Sequence, residues 1–324
     1  MKQQSSVIVR PRAPLSSSPG LWWGLLGVTA FSFTLPFTRI AVGGLSPLFI
    51  GSGRAVVAAA LAALALAVTR QHPPTTAQWW RLAIVAGGVV AGFPLLTSFA
   101  MTAAPASHGA VVIGLLPAAT AVMVVLRTRE RPGRAFWWFA AVGAAAAVVF
   151  ASLQNGGLGE LHWADLLLFG AVLAAAIGYA EGGLLARELG TWQTVSWALV
   201  LAAPLMLALT LGSALTHPPS ASPVQWLAFA YLAVVSMFLG FFAWYRGLAI
   251  GPMAQVSQIQ LVQPVMSIAW AALLLHEQIG WPTALGGIAV ILCAALAVRT
   301  RLIHPRPTTH PLNEEFCCAT HPAT

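Results

Sequence analysis

Residues 251–290 read GPMAQVSQIQLVQPVMSIAWAALLLHEQIGWPTALGGIAV, an apolar helix with a glutamine-rich face, a His-Glu corner and a second apolar helix. An earlier stretch, APASHGAVVIGLLPAATAVMVVLRTRERPGRAFWWFAAVG at residues 104–143, has the same skeleton. Adding 147 to the residue number carries four of its residues onto identical ones: Pro105 onto Pro252, Pro117 onto Pro264, Glu130 onto Glu277 and Gly133 onto Gly280. Proline, glycine and glutamate are typical of the ends and interruptions of apolar helices. Four identical residues of these types at one shared offset therefore indicate an internal duplication.

The composition predicts the environment of the chain. Of its 324 residues, 58% are hydrophobic and only 7% are charged, against about 25% charged residues in soluble domains. The sequence therefore predicts a polytopic membrane protein. A net charge of +8 would be compatible with nucleic-acid binding. The positions of the arginines along the chain explain this charge by membrane orientation instead, so no nucleic-acid partner is expected. The three cysteines form no disulfide framework and are expected to be inert.

Ten apolar segments of roughly 17 to 25 residues follow one another, each long enough to span hydrocarbon. They lie near residues 21–40, 47–69, 79–101, 106–126, 135–152, 163–186, 192–212, 224–246, 254–275 and 281–299. The predicted fold is thus all-α, with one five-helix unit at 21–152 and another at 163–299. Residues 1–20 and 300–324 are predicted to be disordered cytoplasmic tails.

The distribution of basic residues predicts the orientation. With a cytoplasmic N-terminus, every lysine and arginine except Arg39 and Arg54 falls on the inner side, and the even helix count returns the C-terminus there. The corner at 127–134 carries four arginines, whereas its counterpart at 274–281 carries none. Five helices per unit and opposite charges at equivalent corners predict an inverted repeat. The expected location is the inner (plasma) membrane.

Two long motifs resemble a known family. GLAIGPMAQVSQIQLVQPVMSIAWAALLLHEQIGWPTALGGIAVIL at 247–292 and TLPFTRIAVGGLSPLFIGSGRAVVAAALAAL at 34–64 are similar to EamA-type members of the drug/metabolite transporter superfamily, and the resemblance covers about residues 21–299. It implies ten helices in two inverted repeats, cytoplasmic termini and movement of small organic solutes, often outward, through a central cavity. The two repeats differ at one position: the residue of the second repeat that is equivalent to Arg54 is Trp197 or Ala198. Any role of this arginine is therefore confined to the first repeat.

Polar residues of the ninth segment are the densest set of candidates. Gln260, Gln263 and Ser267 fall on one stripe of a helix, and Gln258 lies on an adjoining face. Polar side chains within a membrane mark either a pathway or helix packing. One interpretation is a cavity wall whose amides bind a polar solute. The other is a set of interhelical hydrogen bonds, worth about 0.6 kcal/mol each.

Three ionisable residues each have two interpretations. Glu181 either neutralises a cationic solute or exchanges a proton with it, or it pairs with Arg187 or Arg246 at the inner interface. Arg54 either extends outward to the interface or faces the cavity and attracts a carboxylate. His108 either lies near the axis between the repeats or is a hydrogen-bonded histidine at a helix start.

The eighth segment ends in Trp244 and Tyr245, which predict either an aromatic lining for a solute or, as favoured by similar residues at other inner ends, an interfacial belt. Glu130 and Glu277 lie at the corners of the two units. For both, a contact with a helix end or loop is predicted.

These features favour a secondary transporter that works by alternating access. Its expected substrates for export are drugs or small organic metabolites such as amino acids and related compounds. An intramembrane enzyme using Ser52 and His108 is one alternative, but no acid is obviously placed to orient the histidine. A non-transporting scaffold or receptor is another. No ATP-binding, metal or cofactor motif is found. The expected partners are a solute and the lipid bilayer, and a homodimer stays open.

Overall fold

The computed structural model describes residues 19–129, 132–154, 162–250 and 259–303. Every regular element in these ranges is helical, in agreement with the predicted all-α fold. Ten apolar helices follow in order: α1 (Pro19–Ala41), α2 (Pro47–Val68), α3 (Thr76–Ala100), α4 (Ala106–Thr128), α5 (Arg134–Leu153), α6 (Trp163–Leu189), α7 (Thr191–Thr216), α8 (Pro223–Gly247), α9 (Gln260–Leu275) and α10 (Trp281–Thr300). In the described part of the chain, all except α9 are long and apolar enough to cross a membrane. The helical backbone of α5, α8 and α10 continues to Gln154, Ile250 and Ile303.

The helix boundaries repeat at the offset found in the sequence. Thr75 and Gln78 form a capping box at the start of α3, and 147 residues later Ser222 and Gln225 form one at the start of α8. Each box satisfies backbone N–H groups that have no partner within the helix. The ends of α4 and α9 also correspond, because Arg129 and His276 both have left-handed backbones, with φ of 56° and 54°.

The interruptions inside the helices repeat as well. A break after Ile113 divides α4, and its second part begins at Leu116; in α9 a 3-10 turn precedes the α-helical part that begins at Gln263, 147 residues later. A proline follows each start, Pro117 and Pro264, and the missing proline N–H cannot continue the preceding helix. The helices α3 and α8 contain π-helical stretches, Ala86–Gly92 and Tyr231–Leu239.

Helix pairing follows the same duplication. The pairs α2–α7 and α5–α10 each join a helix to its counterpart in the other unit, and the pair α1–α8 corresponds to the pair α6–α3. Small residues permit close approaches: a Cβ atom on Gly27 of α1 would lie 2.8 Å from the backbone nitrogen of Trp244 in α8. Between α3 and α6, a Cβ on Gly178 would lie 3.1 Å from the backbone nitrogen of Val89. The two units are therefore interleaved, and the first part of α4 contacts the α-helical part of α9, Gln263–Leu275.

Candidate functional site

A central cavity lies where the two units meet, and it consists of two adjoining hollows that share Leu116 and Gln263. The larger hollow contains about 460 Å³ of space between atoms, but it has room for only a few water molecules. Its lining comprises Phe31, Thr34, Arg54, Val89, Phe93, Pro94, Leu116, Ala175, Tyr179, Ser236, Met237, Phe241 and Gln263. The smaller hollow is lined by Leu35, Ala110, Ile113, Leu116, Pro117, Gln260, Gln263, Pro264 and Ser267.

The glutamine stripe of α9 faces this cavity. Gln260 and Gln263 line it, and neither amide has a hydrogen-bond partner within the described residues. Ser267 also lines the smaller hollow, but its hydroxyl donates to the backbone oxygen of Ser32 at 2.7 Å. Pro36 has no N–H to offer that oxygen, so Ser267 satisfies a carbonyl that the helix leaves open. The amides are thus available to a solute, whereas the hydroxyl of Ser267 also joins α9 to α1.

Arg54 is enclosed in the protein and faces the larger hollow. Its relative exposure is 1%, so its side chain does not extend to an interface. Nη2 lies 3.4 Å from Oγ1 of Thr97, a long hydrogen bond, and Nε is buried without any partner in the described structure. The positive charge of this side chain therefore sits in the cavity wall with almost none of its donors used.

A cluster of ion pairs joins the two units at the arginine-rich end of the bundle, the end that carries Arg81 and Arg127. The buried carboxylate of Glu181 in α6 accepts hydrogen bonds from Arg81 in α3 and, at 2.7 Å, from Arg127 in α4. Arg81 also binds Glu188. The carboxylate of Glu181 is therefore paired, but with arginines of the other unit rather than with the predicted Arg187 or Arg246.

Polar contacts also join the two units at the opposite end, around an open vestibule. Glu277, at the corner between α9 and α10, accepts the backbone N–H groups of Ala106 and Ser107 at 2.8 and 2.9 Å. These are the first residues of α4, so the predicted helix-end contact of Glu277 is confirmed. The glutamate of one unit thus holds the helix start of the other.

His108 lies in the wall of this vestibule, in the first turn of α4. Its Nε2 is 2.5 Å from Oδ1 of Asp165 in α6, and its ring packs against Phe150. The vestibule is lined by Ala103, Ala104, Pro105, Ser107, His108, His162, Ala164, Asp165, Glu277, Gln278 and Thr283. The structure therefore brings His108 to a hydrogen-bonded position at a helix start, outside the central cavity, as one of the two interpretations predicted.

Comparison with known proteins agrees with this architecture. The model of the EamA-like transporter family matches residues 18–152 and 162–299, once for each unit. The chain belongs to the EamA-like transporter family. It is 45% identical over 279 residues to a Bacillus subtilis (strain 168) protein called "Uncharacterized transporter YdeK", covering 85% of this chain and 96% of that one. A solved structure, titled only "Crystal structure of protein", matches with a TM-score of 0.60 at 19% identity over 88% of this chain and 99% of its own, which shows a shared fold.

Within this EamA-like bundle, the aromatic residues at the end of α8 are not an interfacial belt. Trp244 and Tyr245 are both buried, and the backbone of Trp244 packs against Gly27 of α1. The belt interpretation was wrong for these two residues because tight packing between α1 and α8 encloses them. Neither lines the two central hollows, whereas Phe241, one turn earlier, does. Trp80 and Trp138, by contrast, are exposed, as a belt requires.

The residues proposed for an intramembrane enzyme do not come together in this member of the family. Ser52 donates to the backbone oxygen of Leu48 at 2.7 Å and accepts from Thr210 at 2.9 Å. His108 is paired with Asp165. The expectation that no acid orients this histidine was wrong, because the packing of α4 against α6 brings together residues that are far apart in sequence.

Some cavity residues were not predicted from the sequence. Thr34 and Ser236, whose hydroxyl oxygens are 2.7 Å apart, link α1 to α8 in the wall of the larger hollow, and Tyr179 lines the same hollow. Isolated hydroxyls and aromatics in apolar helices carry no distinguishing pattern, so only the tertiary contacts reveal them. Of the residues for which contacts were predicted, Gln258 and Glu130 lie outside the described residues.

Proposed function

We propose that this protein is a secondary transporter that moves small organic solutes across the membrane by alternating access of the central cavity. The observation that supports the proposal is a cavity with unpaired polar groups between two polar closures, one at each end of the bundle. Each closure joins the first unit to the second. Access from either end therefore requires the contacts of that end to separate while the other end stays closed.

At the arginine-rich end, the closure consists of Glu181 with Arg81 and Arg127. Opening there separates α6 from α3 and α4 and transfers these charges to water. Because the three side chains exchange protein partners for hydration, the free-energy difference between closed and open forms stays small. A small difference is what a transporter needs, since both forms have to be populated in each cycle.

At the other end, the closure consists of Glu277 on the start of α4, with His108 and Asp165 beside it. Opening there removes a carboxylate from two backbone donors. The vestibule beside these groups is already wide enough to contain water molecules. A solute leaving the central cavity on this side would therefore pass the start of α4.

The units match one family model twice and each contains five apolar helices, an odd number, so we propose that all of these helices span the membrane and that the two units are inverted in it. The excess of arginine at one end supports a cytoplasmic position for that end and for both termini, in the inner (plasma) membrane. Export of amino acids, related metabolites or drugs is the proposed direction and substrate range. The energy would come from a gradient or exchange, because the sequence carries no ATP-binding motif.

The proposal can be tested with the full-length protein in proteoliposomes loaded with a mixture of amino acids, their derivatives and small drugs. Efflux of each compound is measured by mass spectrometry against protein-free liposomes. A lockable variant carries Arg81→Cys and Glu188→Cys in a background whose three native cysteines are alanine. A short bismaleimide should stop efflux by holding the arginine-rich end closed.

The two single-cysteine variants, treated in the same way, are matched controls, and the reagent should leave the efflux of each variant at its own untreated rate. Efflux at the protein-free level for every compound contradicts the proposal. So does an unchanged efflux rate in the cross-linked double variant, since transport would then not require this end to open.

A further inference from the structure

The buried charge of Arg54 is the starting point. A guanidinium has five N–H donors, and removal from water is costly unless those donors and the charge find partners. In the described structure Arg54 has one long contact with the hydroxyl of Thr97 and an orphaned Nε. The side chain is 1% exposed, so water does not supply the missing bonds at the protein surface.

No carboxylate of the described residues compensates this charge. The acidic side chains in the described ranges are Asp165, Glu181, Glu188 and Glu277. Asp165 binds His108, Glu181 and Glu188 bind Arg81, and Glu277 binds the start of α4. Each of them is therefore committed at one of the two ends of the bundle, away from the cavity between them.

The surroundings of Arg54 resemble a binding site for an amphiphilic molecule. The hydroxyls of Thr34 and Ser236 and the amide of Gln263 line the same hollow, and they provide further polar contacts. The remaining wall is apolar and aromatic, formed by Phe31, Phe93, Val89, Met237, Phe241 and Tyr179. A molecule that fills this hollow would place an anionic group at the guanidinium and an apolar body among the rings.

We infer that Arg54 binds the carboxylate of the transported solute, so that the substrates are small organic acids or amino acids with an apolar or aromatic body. This inference rests on the proposed transport function and specifies its substrate class. A carboxylate accepts two N–H groups of a guanidinium at once, which neutralises the charge and uses the free donors. The hollow has room for only a few water molecules, so binding accompanies a small separation of the surrounding helices.

The test measures thermal unfolding of the purified full-length protein in detergent as a function of sodium benzoate concentration. Benzamide, which has the same ring without the charge, and sodium chloride, which supplies an inorganic anion, are the matched ligands. Arg54→Gln, Arg54→Lys and the control Arg39→Gln are compared with the native protein. Arg39 donates to the backbone oxygens of Met101 and Thr102 and does not line the two hollows.

Benzoate is expected to raise the unfolding temperature of the native protein and of Arg39→Gln, while benzamide and chloride do not. The apparent affinity for benzoate should fall about 10- to 100-fold in Arg54→Gln, the effect of losing a charge-assisted hydrogen-bonded pair. Arg54→Lys keeps the charge but loses the planar guanidinium, so its apparent affinity for benzoate should lie between those of the native protein and Arg54→Gln. Without ligand, Arg54→Gln should unfold at the native temperature or above it, because an uncompensated buried charge has been removed.

Equal stabilisation by benzamide, an unchanged benzoate response in Arg54→Gln, or no benzoate response in the native protein would each overturn the inference. Stabilisation by chloride equal to that by benzoate would overturn the organic substrate class and leave only an inorganic anion at Arg54. The proposed function is judged separately: efflux of neutral compounds from liposomes that is unaffected by Arg54→Gln would support transport while contradicting carboxylate recognition. If efflux is absent for all compounds, transport is contradicted, whatever the benzoate result.

Discussion

Replacement of Glu277 by glutamine tests the closure at the vestibule end. The two carboxylate oxygens of Glu277 each accept one backbone N–H of α4, at 2.8 and 2.9 Å. Glutamine keeps one acceptor oxygen, but its NH2 group then faces the other N–H, so one bond is lost. The negative charge at the helix N-terminus is lost as well.

The size of the effect follows from these contacts. A hydrogen bond to a charged group contributes about 1.5–3 kcal/mol, and a charge at a helix N-terminus about 0.3–1 kcal/mol. Glu277 is only partly buried, which favours the lower end of this range, about 2 kcal/mol in total. If that energy favours the closed form alone, the fraction open at the vestibule rises about 30-fold.

The assay is the labelling rate of Ala110→Cys by a membrane-impermeant thiol reagent, with all native cysteines replaced. Ala110 is 1% exposed, lines the smaller hollow and lies one turn beyond Ala106, so a reagent reaches it only when the vestibule end opens. Gln278→Ala is the control, since Gln278 lines the same vestibule without binding the helix start. We expect labelling to increase about 30-fold in Glu277→Gln and to stay near the native rate in Gln278→Ala.

An unchanged labelling rate in a folded Glu277→Gln protein would refute the assignment of this contact as a closure. An equal increase in the Gln278→Ala control would refute it too, because the effect would then come from general loosening of the corner.

Three further changes test other contacts. Glu181→Gln should lower the free energy of unfolding by about 1–3 kcal/mol in detergent titrations, a range reduced by the partial exposure of its arginine partners; an unchanged midpoint would show that these pairs do not stabilise the fold. Gln263→Leu should abolish solute efflux from proteoliposomes while the unfolding temperature is kept, because a free amide is removed from the cavity; native efflux would show that the amide is dispensable. Ser267→Ala should destabilise the protein by about 1–3 kcal/mol, because the Ser32 carbonyl loses its donor, and thermal unfolding would measure this loss.

The features predicted correctly from the sequence depend on local chemistry. The ten apolar segments and the repeated prolines follow from residue types that act on their own backbone neighbourhood or on the bilayer. The offset of 147 was visible because proline restricts the backbone in both units and glycine permits turns that other residues disfavour.

The partners of the charged residues were not predictable in this way. The sequence suggested Arg187 or Arg246 for Glu181, because they lie near the same helix end, but α3 and α4 bring in Arg81 and Arg127. The acid that binds His108 was missed because it comes from another helix. Pairing across helices depends on their rotation about their own axes, and a hydrophobic pattern that is apolar nearly all round leaves this rotation undetermined.

The π-helical stretches of α3 and α8 have a consequence for the shape of the cavity. A π turn accommodates one more residue than an α turn, and one residue corresponds to about 100° around a helix. The residues after each stretch are therefore turned to a different side from that of an uninterrupted helix. Phe93 and Phe241, which follow Ala86–Gly92 and Tyr231–Leu239, face the interior in this arrangement. Removal of a residue that does not line the cavity, such as Gly87 or Leu239, would rotate an aromatic ring from the cavity toward lipid.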